Sequence, residues 1–114
     1  MKEIGISPDR MQWEEVAGYP EGTRICILRT DEQGMVRAFL LRGGRDFTMG
    51  GHTNTTSEQQ FVLEGEVQSG GETFGRGSYR FIPRRGSHEP WTCREGAVLF
   101  VTWDRWRLLG RFHD

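Results

Sequence analysis

Cysteine is scarce in this sequence. The 114 residues hold two, Cys26 and Cys93, far apart and without metal-finger spacing. They fit reduced cytoplasmic thiols better than a disulfide framework. Long apolar runs are missing as well: the longest, residues 97–101, falls far short of a membrane span. Residues 1–10 lack the apolar stretch and the small-residue cleavage site of a secretion signal. No excess of one charge exists either. Fifteen Lys and Arg against sixteen Asp and Glu leave a net charge of −1, which removes the electrostatic case for nucleic acid or an anionic membrane as partner. The expected compartment is the cytoplasm. Hydrophobic residues make up only 35%, so a compact architecture or a second subunit covering apolar surface would help. The length bounds the chain to a single domain, 1–114, with one modest core.

Helical periodicity is the next absence. No window from residue 20 onward holds a helical period for ten residues, and only 8–16 could form a short helix, with Ser7 or Asp9 as its cap. Glycine is abundant: sixteen residues punctuate the chain. Between them lie runs rich in β-branched and aromatic residues, namely 24–29 (RICILR), 36–42 (VRAFLLR), 60–68 (QFVLEGEVQ), 78–82 (SYRFI) and 97–103 (AVLFVTW). The stretch SGGE at 69–72 reads as a turn. Many short strands in one small domain imply an all-β fold, an antiparallel sandwich or barrel with at most one short N-terminal helix. No internal repeat or low-complexity linker interrupts it.

Chemistry-bearing residues are few. Of three histidines, His113 is penultimate and is assigned no role. His52 and His88 each follow a Gly-containing turn and precede a strand-like run. His52 and Asn54 are two apart, so an extended chain points them to one face. Glu58 follows a Thr/Ser-rich stretch (Thr53, Thr55, Thr56, Ser57) that could bend its carboxylate back toward them. Two imidazoles and a carboxylate suit a divalent first-row metal: iron(II) first, with zinc, manganese or nickel also compatible. Either histidine alone reads more simply as a hydrogen-bonded loop residue.

The spacing around these residues resembles the paired motifs of the cupin family over roughly residues 24–104. The first motif, G-x5-H-x-H-x3,4-E-x6-G, is matched by His52-Thr53-Asn54-x3-Glu58-x6-Gly65, about 46–65. The second, G-x5-P-x-G-x2-H-x3-N, is matched by Gly77, Pro83 and His88, about 77–92. The stretch PRRGSHEPWTCREGAVLFVTW looks most like the ChrR-type cupins of anti-sigma factors, with diketone- and acetophenone-cleaving dioxygenases nearby. The resemblance implies a small antiparallel β-barrel of jelly-roll type with a metal inside. His52, Glu58 and His88 fall on the family's ligand positions. Asp46 and Arg85 stand where the motifs have Gly, and Thr92 replaces the closing Asn. Asn54 occupies the position of the second ligand histidine.

An Asn amide oxygen is a neutral and weak donor beside imidazole. Either three ligands hold the ion, with Asn54 as a distant fourth or a hydrogen-bond donor to bound water, or the site is weakly occupied and the barrel binds an organic ligand. Three function classes follow. The first is a dioxygenase-like enzyme acting on a small oxygenated substrate such as a diketone, hydroxy-ketone or carboxylate. The second is a non-catalytic metal or ligand sensor. The third is a metal-free isomerase-like or carbohydrate-binding cupin. Gln60, in phase with Glu58, is a candidate orienting or substrate-contact residue. Phe61 and Phe81 are expected as pocket walls, and Arg84 as a carboxylate-steering cation at the mouth. Trp91, Trp103 and Trp106 are expected to fill the core or a subunit interface, and Cys93 to be a small core residue. The stretch 105–112 (RWRLLGRF) reads as an edge strand or a tail packing on a second subunit, which agrees with a homodimer.

Overall fold

The computed structural model describes residues 2–49, 56–84 and 89–104. Among the described residues the chain has one 3-10 turn, Pro8–Arg10, followed by ten strands: β1 (Glu14–Glu15), β2 (Arg24–Thr30), β3 (Val36–Gly43), β4 (Phe47–Met49), β5 (Glu58–Gly65), β6 (Val67–Ser69), β7 (Glu72–Phe74), β8 (Tyr79–Ile82), β9 (Trp91–Cys93) and β10 (Ala97–Trp103). Pairing is antiparallel throughout, in a six-stranded sheet ordered β1-β2-β3-β10-β5-β8 and a four-stranded sheet ordered β4-β9-β6-β7. The all-β antiparallel jelly-roll expectation holds. Its closure is looser than the word barrel implies, since no ladder joins the two sheets among the described residues.

The expected helix over 8–16 reduces to the 3-10 turn, because Met11 is already extended and Glu14–Glu15 pair with β2. Helices this short are marginal alone, and tertiary pairing wins. The run 60–68 divides into β5 and β6, which belong to different sheets. Gly65 makes the break. Its φ is 77°, and a Cβ there would collide with the Gly96 carbonyl oxygen, so only glycine fits. Strands β4, β7 and β9 hold three residues each, too few to display a period in the sequence.

The core lies between the sheets. Phe39 and Leu41 of β3, Val62 of β5 and Leu99 and Val101 of β10 meet Phe47 of β4, Val67 of β6, and Trp91 and Cys93 of β9. On the opposite face of the larger sheet, Trp13 stacks under the Arg42 guanidinium at 4.1 Å. A cleft beside it is lined by Ile6, Arg10, Met11, Cys26 and Ile27. No helix among the described residues is long and apolar enough to cross a membrane.

Candidate functional site

Strand alternation decides which side chains enter the sandwich. In β5, Val62 belongs to the core, so Glu58 and Gln60 share its face and Gln59, Phe61 and Leu63 take the other. In β8, Ile82 is buried and Arg80 shares its face, leaving Tyr79 and Phe81 outside. The register aligns Glu58 with Ile82 and Gln60 with Arg80. One wall of the interior therefore carries Glu58, Gln60 and Arg80 together.

These three are joined by hydrogen bonds. Gln60 is only 1% exposed. Its Nε2 donates to Glu58 Oε2 at 2.5 Å, and its Oε1 accepts from Arg80 Nη1 at 2.9 Å. Trp103 Nε1 donates to the other Glu58 oxygen at 3.0 Å, while its ring packs edge-on against Phe39. Each Glu58 oxygen thus receives one N–H and keeps further acceptor capacity. The Arg80 guanidinium reaches across to the smaller sheet, 5.6 Å from the Phe74 ring centroid and 5.7 Å from that of Trp91. Such distances lie near the outer limit of a cation–π attraction, each adding about 0.5–1 kcal/mol.

The surroundings respond to these charges. Burial lowers the Arg80 pKa from its ordinary value, with the Glu58 charge opposing. Burial raises the Cys93 thiol to about 11, with Arg80 pulling it down. Tyr19, packed against the core, has its phenol raised by burial first and by the Glu58 charge second. Arg80, Trp103 and Tyr19 as parts of this site escaped the sequence reading. Arg80 had a signal: it is in phase with Ile82 in SYRFI.

His52, Asn54 and His88 lie outside the described residues, as do Arg85, Trp106, residues 105–112 and His113. Among the described residues no group of three His, Cys, Asp or Glu side chains could hold a metal. The residues bracketing the two histidine segments are nevertheless neighbours. Met49 pairs with Trp91 across β4 and β9, and the Arg84 N–H donates to Ser57 Oγ at 3.1 Å. Thr56 Oγ1 donates to the Asp104 carbonyl and the Asp104 N–H to the Ser57 carbonyl, fixing the entry to β5 against the end of β10. Among the described residues, Met49 therefore lies beside Trp91, and Ser57, next to Glu58, lies beside Arg84. The donor set of two imidazoles and an oriented carboxylate is chemically suited to a divalent ion.

Phe61 and Phe81 do not wall the interior. They are 42% and 52% exposed on the outer face of the larger sheet, because their parity opposes that of Val62 and Ile82. Cys93 is buried in the core, as is Trp91. Arg84 is half-buried beside Ser57.

Solved structures share this architecture. An RmlC-like cupin from Shewanella frigidimarina is 20% identical, with 90% of each chain covered and a TM-score of 0.70. An acetylacetone dioxygenase from Acinetobacter johnsonii is 14% identical over 90% of this chain and 73% of its own, with a TM-score of 0.70. The anti-sigma ChrR in complex with SigE from Rhodobacter sphaeroides is 21% identical over 86% of this chain and 52% of that one, with a TM-score of 0.67. At these identities the likeness shows the fold alone. No curated protein sequence matches. The family model described as ChrR Cupin-like domain matches residues 1–106, and the chain therefore belongs to the ChrR cupin-like family.

Proposed function

We propose that this chain is a small single-domain metal-binding cupin that acts in the manner of a dioxygenase on a small oxygenated organic substrate. His52, Glu58 and His88 are the ligands in this reading, with Asn54 as a distant donor or a partner of bound water. The observation that carries it is the Glu58 carboxylate: it stands inside the sandwich, with one N–H donor on each oxygen. Two donors orient the carboxylate without exhausting it, the usual arrangement around a ligating carboxylate. The solved acetylacetone dioxygenase with the same fold supports the reaction class. A divalent ion, iron(II) before zinc, manganese or nickel, would supply Lewis-acid and redox chemistry there. The chain's own part is to hold the carboxylate through Gln60 and Trp103 and to surround the substrate with the aromatic interior.

Elemental analysis of protein purified without chelator tests the reading. Wild type should carry a divalent ion that His52→Ala, Glu58→Ala and His88→Ala lose. Equally little metal in all four proteins overturns it. Asn54→His should raise metal affinity.

A second reading, a non-catalytic sensor, is favoured by the ChrR family match and by the solved complex of ChrR with a sigma factor. Oxygen uptake by iron(II)-loaded protein with diketones and hydroxy-ketones separates the two: consumption identifies the enzyme, and silence across the panel the sensor. We place the protein in the cytoplasm as a homodimer whose interface covers the exposed Phe61, Tyr79 and Phe81.

A further inference from the structure

We propose that Arg80 is a binding residue for a carboxylate on the substrate, so that the ligand of this protein is a small planar organic acid. The inference rests on the reading that substrate occupies the space between the sheets beside Glu58.

Arg80 is a cation brought inside a sandwich, and its compensation is incomplete. Its hydrogen bond goes to the neutral amide oxygen of Gln60 through Nη1. Among the described residues the ion pairs are Asp31 with Arg37 and Arg45 with Glu95, so no carboxylate pairs with Arg80. A guanidinium has five N–H donors in a rigid fork. With one Nη1 proton engaged, an edge carrying two parallel N–H groups stays available, the geometry that a carboxylate accepts bidentately. The Phe74 and Trp91 rings flank the group, which favours a flat ligand. Arg80 is half-buried, so the fork keeps contact with solvent that a ligand can displace.

Position ties this fork to Glu58. Glu58 aligns with Ile82, and Arg80 stands two residues before Ile82 on the same face. Such diagonal neighbours lie roughly 7–8 Å apart across a ladder. A molecule with a carboxylate at Arg80 and a ketone or enol oxygen near Glu58 spans that interval with a few bonds. Gln60 couples the two ends, since its amide is oriented by Arg80 on one side and Glu58 on the other. The substrate class narrows from oxygenated compounds in general to keto acids and aryl acids.

Benzoate and benzamide, alike in shape and different in charge, are the probes. Binding to chelator-treated wild-type protein is followed by calorimetry and by the rise in melting temperature. Benzoate should bind and benzamide should bind at least roughly tenfold more weakly. Arg80→Gln should abolish the preference. Arg80→Lys, which keeps the charge but not the fork, should weaken benzoate and remain folded by circular dichroism. Equal affinity for the two probes, no benzoate binding to wild type, or a preference that survives Arg80→Gln overturns the inference. Because the protein is stripped of metal, these outcomes are independent of whether His52, Glu58 and His88 hold an ion.

Discussion

On the inner face of the β5–β8 ladder stand Glu58, Gln60, Arg80 and Ile82; on its outer face stand Gln59, Phe61, Tyr79 and Phe81. The ordinary expectation for a sheet with one face on the core is apolar inward and polar outward. This ladder largely reverses it. The inner polar groups are held by hydrogen bonds, Trp103 and Gln60 donating to Glu58 and Arg80 donating to Gln60, although Arg80 meets only a neutral acceptor. The outer aromatics also have local partners. The Phe61 and Tyr79 rings lie 5.0 Å apart, and Tyr79 Oη donates to Gln59 Oε1 at 2.9 Å. The difference is in what each face costs. A buried carboxylate or guanidinium without its partner costs several kcal/mol, whereas an exposed phenylalanine costs little in the monomer and shows its effect in association.

Gln60 joins the two charged groups of the inner face, so its loss should have the largest effect. Gln60→Leu preserves volume and removes both the donor to Glu58 and the acceptor of Arg80. We expect a loss of about 3 kcal/mol, the cost of leaving two interior charged groups each short of a partner. Urea denaturation measures it. A loss below about 1 kcal/mol would show that solvent replaces Gln60 at no great cost, and that the two faces differ little.

Trp103→Phe tests the same face more gently. The edge-on contact with Phe39 at 4.9 Å is available to a phenyl ring, so the variant mainly deletes the N–H to Glu58. Stability should fall by about 1–2 kcal/mol. Metal affinity, on the proposed reading, should fall roughly 10- to 100-fold, because a ligand's orienting partner is gone. A fall in stability with metal binding unchanged would assign Trp103 to packing alone.

Parity explains how much of this was legible. The run QFVLEGEVQ marks a strand at β5 and puts Gln60 in phase with Glu58; the structure adds Val62 to that face and buries it. The same parity places Phe61 outside, yet apolar character argued for a pocket wall, and parity prevailed. Phe81 failed identically against Ile82. Asp46 was legible only as a departure from a glycine position. The structure shows why glycine belongs there: Asp46 has a φ of 60°, the left-handed region that Asp tolerates better than most residues. Thr92, which stands in place of the second motif's Asn, pairs with Thr48 across β4 and β9 through a 3.2 Å hydroxyl contact. The Trp103 contact had no sequence signal. It depends on β10 lying between β3 and β5, a tertiary arrangement that no local pattern encodes.

Cys93 gives the interior a pH signature. Burial raises its thiol from 9.0 to about 11, so the folded state holds the proton more tightly than the unfolded chain. The resulting stability is complete below pH 9 and is lost as the pH rises through about 11, a change of at most about 3 kcal/mol. Cys93→Ala should make the stability profile less steep across that window, the raised Tyr19 phenol supplying the slope that remains. An unchanged slope would mean that the thiol is better solvated than its 1% exposure indicates.

The smallest effect on the fold should come from the outer face. Phe81 is 52% exposed at the edge strand β8, so Phe81→Ser removes an apolar group that is already half in water. The folded monomer should lose less than about 1 kcal/mol. The proposed homodimer should respond more strongly, because an aromatic at the centre of an interface contributes far more than its solvent-facing area in the monomer suggests. Sedimentation of wild type beside Phe61→Ser/Phe81→Ser reads this directly: a dimer that becomes a folded monomer supports the assignment. A wild-type monomer, or a dimer indifferent to both changes, removes the interface from this face. The outer aromatics would then be reduced to local packing, such as the Phe61–Tyr79 contact.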